Sequence, residues 1–219
     1  MPGAHDGGPS PILHDVLEEA RALGFFGPGP LEPQVAHAQG FATIGRRLSP
    51  GARVRLVDLG AGGGLPGLVV ATEWPEVTLT LLEAMGRRAS FLRQAVERLS
   101  LDHRVSVLAE RAEIAGRSDD LRATFDGVLA RSFGRPAVLA ECAAPFLRVG
   151  AWMLVSEPPR AEAPAGEGDR WPPEPLGQLG LEPAALLHEG FEYQVLRQVQ
   201  RCPERYPRRN GVPAKKPLF

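Results

Sequence analysis

The chain has 219 residues, 43% of them apolar, and a formal charge of −1, which suits one α/β domain with a sizeable core and short additions at its ends. That balance excludes a global electrostatic pull toward nucleic acid, so any such attraction has to be local. Its two cysteines, Cys142 and Cys202, exclude a disulfide framework or a thiolate metal site and read as reduced thiols; with no leader pattern and no apolar run near the roughly 20 residues of a membrane span, the expected location is the cytoplasm.

In chain order, Met1 to Pro9 is polar and glycine-rich and is expected to be disordered. Ser10 is a helix cap, and Ile12, Leu13, Val16, Leu17, Ala20 and Leu23 follow at helical spacing until Gly24. Gly24 to Pro33 holds three glycines and three prolines and reads as an irregular connector. A second helix is predicted from Pro33 to Leu48, so residues 1–52 form a helical extension ahead of a domain over 53–219.

From Arg53 strands and helices alternate. Strands are predicted at Arg53 to Leu59, Val77 to Leu82, Arg104 to Leu108, Phe125 to Ala130 and Ala151 to Val155, with helices from Leu65, from Met85 to Leu99 and from Pro136 to Phe146. Such alternation predicts a parallel sheet with both faces covered and ligand at the carboxyl ends of its strands, by the switch point. Glu157 to Pro175 is proline-rich and reads as a long, mobile surface loop, with Trp171 as its anchor and Trp152 in the core before it. Leu181 to His188 and Phe191 to Val199 read as a closing antiparallel hairpin, giving a mostly parallel seven-stranded sheet.

The stretch VDLGAGGGLPGLVV, Val57 to Val70, is a strand, a glycine turn and a helix start, with Leu65 and Pro66 opening the helix where proline is tolerated. Free amides there suit an anionic or polar ligand group. Gly62, Gly64 and Gly67 formally satisfy the dinucleotide fingerprint, whereas Asp58 two residues before Gly60, Gly62 and Gly64 fits motif I of class I S-adenosylmethionine-dependent methyltransferases. Glu83, ending the second strand, serves either reading by holding ribose hydroxyls. The closing hairpin favours the methyltransferase, in the Rossmann-like class I fold.

Four stretches, VDLGAGGGLPGLVVA, LLEAMGRRASFLRQAVERL, FDGVLARSF and the tail RYPRRNGVPAKKPLF, resemble the small-subunit ribosomal RNA methyltransferase G family, also called the glucose-inhibited division protein B family. The resemblance runs from about Arg53 to Phe219. It implies S-adenosylmethionine as cofactor, held by Gly60 and Leu65 in the glycine turn, Glu83, Ala112 and Glu113 after the third strand, and Arg131 after the fourth. Arg131 would pair with the cofactor's carboxylate or an RNA phosphate. The implied reaction is methylation of guanine N7 in small-subunit ribosomal RNA, with no metal and no catalytic side chain. The basic cluster Arg201, Arg205, Arg208, Arg209, Lys215 and Lys216, broken only by Glu204, would hold that RNA, or else pack beside the cleft for structural reasons.

The chain departs from the family pattern at two places. After the fifth strand the family carries lysine and glycine where this chain has Ser156 and Glu157, a carboxylate in place of a cation. At the other end, the family's tryptophan-asparagine segment and histidine-x-x-aspartate-serine element are missing: His37 is followed by Ala38, Gln39 and Gly40. His37 then reads as a helix-face residue. These departures leave open a diverged paralogue acting on a small molecule or another RNA, or a module that binds without turnover.

Overall fold

The computed structural model describes residues 10–27, 29–51, 53–158 and 170–219; the expected disorder of Met1 to Pro9 and the centre of the proline-rich segment lie outside them. Helix α1 (Pro11–Ala22) starts where Ser10 accepts the Leu13 amide on its hydroxyl. It buries Leu13, Val16, Leu17 and Ala20, whereas Ile12 and Leu23, counted on the same stripe by spacing, are exposed. Helix α2 (Leu31–Leu48) begins two residues before the predicted Pro33. Proline is harmless there because a first-turn amide has no intrahelical acceptor.

The alternating elements follow as β1 (Val54–Leu59), α3 (Gly67–Glu73), β2 (Val77–Leu82), α4 (Gly86–Arg98), β3 (Val105–Leu108), α5 (Ala112–Ala115), β4 (Phe125–Ala130) and α6 (Pro136–Ala143). Then come a 3-10 turn at Ala144–Phe146, β5 (Leu147–Glu157), α7 (Pro173–Gly177), β6 (Leu181–His188), β7 (Glu192–Gln198) and α8 (Val212–Lys215). The sheet has seven strands in the order β3-β2-β1-β4-β5-β7-β6. Strands β1 to β5 are parallel, and β7 is antiparallel to both β5 and β6. The order reverses between β1 and β4, so their carboxyl ends open the crevice in which such sheets bind ligands.

Alternation along the strands divides the core. Val54 and Leu56 face an apolar layer with α1 to α4, Trp152 and Tyr193, while Val57 and Leu59 face one with α6, Trp171, Leu176 and Tyr206. Strand β5 is longer than its apolar run because Arg148, Val149 and Gly150 bulge out between the pairs Phe125 to Leu147 and Gly127 to Trp152. Part of the predicted proline-rich loop is ordered structure: β5 runs to Glu157, and Trp171 and Leu176 are buried with α7.

The tail is tied down too. Arg122 is buried, and its guanidinium donates to the carbonyls of Gly116 at 3.1 Å, Tyr206 at 2.8 Å, Cys202 at 2.9 Å and Pro203 at 2.9 Å. Four carbonyl oxygens replace the water the cation lost, so 202–206 is fixed against the domain. Among the described residues no helix is long and apolar enough to cross a membrane.

Candidate active site

The glycine turn after β1 closes through two carboxylates. Gly60, Gly62 and Gly64 have φ of 69°, 57° and 104°, which a side chain would disfavour. At the end of β2, Glu83 accepts the Gly62 amide at 2.9 Å on one oxygen and the Met85 amide at 2.8 Å on the other. It therefore sets the loop's shape while each oxygen keeps a second lone pair. Helix α3 starts at Gly67, and Pro66, predicted inside the helix, stands one residue before it.

Asp58 is fully buried; one oxygen accepts the Gly67 amide at 2.9 Å and the other, Oδ1, has no partner among the described residues. Burial pushes its carboxyl up to about 7; the Gly67 amide opposes this, Glu83 adds to it and Arg131 opposes it. The folded form thus holds a proton that the unfolded chain releases near the ordinary value of 3.8. The stability this contributes is complete below that value and lost as pH rises through about 7. Asp58→Asn is expected to gain stability relative to the parent as pH rises from 5 to 8, which urea melts at the two pH values will check; a constant difference would reject the raised carboxyl.

Arg131, just past β4, is held by Gln34 of α2, its guanidinium donating to the side-chain oxygen at 3.2 Å and the carbonyl at 3.5 Å. It lines two cavities. The smaller, about 230 Å³, is walled by Gly60, Gly62, Gly63, Leu65, Phe25 and Phe26. The larger, about 370 Å³, is walled by His37, Phe133, Leu139, Val155, Glu157 and Trp171. Phe133 also covers the turn, since a Cβ on Gly60 would lie 2.9 Å from its ring.

Of the residues expected to hold cofactor, the structure brings Gly60, Leu65 and Arg131 around one cavity and ties Glu83 to it through Gly62. Ala112 and Glu113 open α5 and do not line that cavity. Glu113 accepts the Gly211 amide of the tail at 3.0 Å and Arg111 at 3.3 Å. Burial works to raise its carboxyl, but the Gly211 amide, its own amide and Arg111 together hold it below the usual range. In the basic cluster Arg205, Arg209, Lys215 and Lys216 are exposed, whereas Arg208 is spent on the buried Glu141.

Sequence reasoning missed Gln34, Phe25, Phe26 and Phe133. The Phe-Phe pair inside the glycine- and proline-rich connector was the available signal, because two adjacent aromatics in a solvated linker have no reason to be there. Phe25 packs edge-on against Phe91 at 5.5 Å, with Arg87 and Arg88 over its ring. His37 is more than a helix-face residue: it stacks on Phe191 at 4.4 Å, its carbonyl accepts the Tyr193 hydroxyl at 2.6 Å, and its Nε2 is buried without a partner among the described residues. Burial first, and Arg131 second, lower its pKa to about 4, so it is neutral at physiological pH. The stability from keeping it neutral is present above its ordinary 6.5 and lost as pH falls through about 4, opposite in sign to Asp58.

The groups present fit S-adenosylmethionine: an orphaned Asp58 carboxyl oxygen and the Glu83 carboxylate for its polar and hydroxyl groups, an arginine for its carboxylate, and a side-chain-free turn for close approach. The glycine turn, the acid ending β2 and this strand order define a class I S-adenosylmethionine-dependent methyltransferase. The fold agrees with that of an O-methyltransferase from Bacillus cereus solved in complex with SAH, at a TM-score of 0.62 and 15% identity, over 88% of this chain and 93% of that one. Residues 41–165 match the family described as rRNA small subunit methyltransferase G. Curated relatives named ribosomal RNA small subunit methyltransferase G include one from Leuconostoc citreum, 33% identical over 74% of this chain and 69% of its own. Another, from Rubrobacter xylanophilus, is 38% identical over 75% of this chain and 65% of its own. The chain belongs to the ribosomal RNA small subunit methyltransferase G family.

Proposed function

We propose that this protein methylates N7 of a guanine in small-subunit ribosomal RNA, with the cofactor in the glycine-turn cavity and the target base in the larger one. The observation that carries this reading is the position of Arg131, which walls both cavities at the switch point. Gly60 and Leu65 would line the cofactor, Glu83 would accept from its ribose hydroxyls, and Arg131 would pair with its carboxylate. Ala112 and Glu113, outside the walls of that cavity, would receive the adenine where it extends past the glycine turn, through a backbone amide and the Glu113 carboxylate oxygen that Gly211 and Arg111 do not occupy.

The bound cofactor supplies an electrophilic methyl on a sulfonium. Guanine N7 offers a lone pair and has no proton to lose, so the protein's task is to hold N7 in line with that methyl and exclude water. His37, lowered to about 4 by burial and by Arg131, is a weak base, and the reaction asks for none. N7 lies in the deep groove of an RNA helix, which side chains do not enter, so the base has to be unpaired or flipped out. Exposed Arg205, Arg209, Lys215 and Lys216 would neutralise neighbouring phosphates.

The test is tritiated methyl transfer from S-adenosylmethionine to small ribosomal subunits from a strain lacking this gene, with mapping of N7-methylguanine. Saturable incorporation at one guanine is expected. Measurable cofactor binding without incorporation would remove ribosomal RNA as the substrate.

A further inference from the structure

The larger cavity carries a charged group that the transfer reaction does not use. Glu157 ends β5, one strand over from Arg131, with Ala130 of β4 paired to Val155 of β5. Moving outward from the glycine turn, the walls are therefore β1, then Arg131 after β4, then Glu157 on β5. Its side chain is 7% exposed. One oxygen accepts the Trp171 indole N–H at 2.8 Å and the other the Arg170 Nε–H at 2.7 Å. Two directional donors fix the plane of the carboxylate, and each oxygen keeps acceptor capacity.

We propose that Glu157 reads the Watson–Crick edge of the target guanine and is the residue that makes this chain select guanine over adenine. The inference rests on the methyl-transfer reading above. Guanine donates from N1–H and the 2-amino group on one edge and presents N7 and O6 on the other. A base with N7 toward the glycine turn and Arg131 turns its two donors toward β5, where a carboxylate accepts both. Adenine turns a lone pair at N1 toward the same carboxylate, an acceptor against an acceptor, although its own N7 also carries a lone pair. Reading a flipped base through that edge, beside aromatic walls such as Phe133 and Trp171, is how base-modifying pockets discriminate. Two lone pairs facing each other beside a buried carboxylate that water cannot rescue are a strong form of that discrimination. The carboxylate at 157 thus has a use, and its pairing with Arg170 removes the objection of a bare negative charge beside RNA.

The experiment compares methyl transfer to small subunits carrying either guanine or adenine at the position mapped above, for the parent, Glu157→Gln and Glu157→Asp. A glutamine amide can both donate to adenine N1 and accept from its 6-amino group. For Glu157→Gln the guanine-to-adenine ratio of kcat/KM is expected to fall at least tenfold, with S-adenosylhomocysteine affinity by calorimetry unchanged. Glu157→Asp draws the carboxylate back by one methylene; it should lose guanine transfer about tenfold without gaining any on adenine. A ratio unchanged in Glu157→Gln, or equal losses on both bases, would overturn the assignment. If the parent transfers to neither substrate, the methyl-transfer reading itself fails and takes this inference with it.

Discussion

Gly60→Asp is expected to abolish cofactor binding, read as the loss of any saturable heat when S-adenosylhomocysteine is titrated into the variant. Three effects converge at this position. The backbone has φ of 69°, where a side chain costs about 1–3 kcal/mol. A Cβ would stand 2.9 Å from the Phe133 ring, displacing the aromatic that covers the turn. A new carboxylate would join Glu83, which already latches the loop through Gly62 and already raises the buried Asp58 carboxyl. Like charges so placed reshape the turn or take up protons. The backbone strain is separated by Gly51→Asp, because Gly51 has φ of 68° and nothing within 4 Å of its would-be Cβ. That control is expected to lose a similar small amount of stability while binding normally. Normal binding in Gly60→Asp would move the cofactor away from the glycine turn.

What was legible in the sequence follows from how local each feature is. Strands β2, β4 and β6 match the predicted boundaries because each is an apolar or alternating run bounded by turn residues, and the pattern alone specifies them. The hairpin of β6 and β7 was readable from its Glu-Gly turn, and Gly190 has φ of 69° there. Arg131 was readable as a ligand-side group because it directly follows an apolar strand. Its partner was not: Gln34 lies 97 positions away, and no spacing rule reports a contact across the fold. The same holds for Arg122, whose four carbonyl partners at 116 and 202–206 are joined only by tertiary packing. Short helices α5, α7 and α8 carry too few residues for a period to show. Glu157 shows a further limit, since its sign was visible in the sequence but the Arg170 and Trp171 donors that orient it were not.

The basic tail read as one cluster in sequence, and the structure divides it by what each cation touches. Arg208→Ala is expected to destabilise the fold by about 3 kcal/mol, at the low end for breaking a buried pair because Arg208 itself is partly exposed to water. Its guanidinium meets Glu141 through Nε at 2.8 and 3.1 Å and through Nη2 at 2.5 Å, and its backbone amide donates to the same carboxylate at 2.7 Å. Glu141 on α6 is completely buried, so removing the arginine leaves a carboxylate with one amide and no water. Nη2 also donates to the Lys216 carbonyl, which ties the pair to the end of the tail. Neutralising Arg205, Arg209, Lys215 and Lys216 to glutamine should instead leave the melting midpoint unchanged, since all four are exposed. If they contact phosphate, that variant binds RNA more weakly and its salt dependence flattens by close to one unit per contact, a little less on single strands. Urea melts and binding at several salt concentrations on both variants separate the two roles. A stable Arg208→Ala with reduced salt dependence would return Arg208 to the RNA surface and leave Glu141 buried without a structural reason.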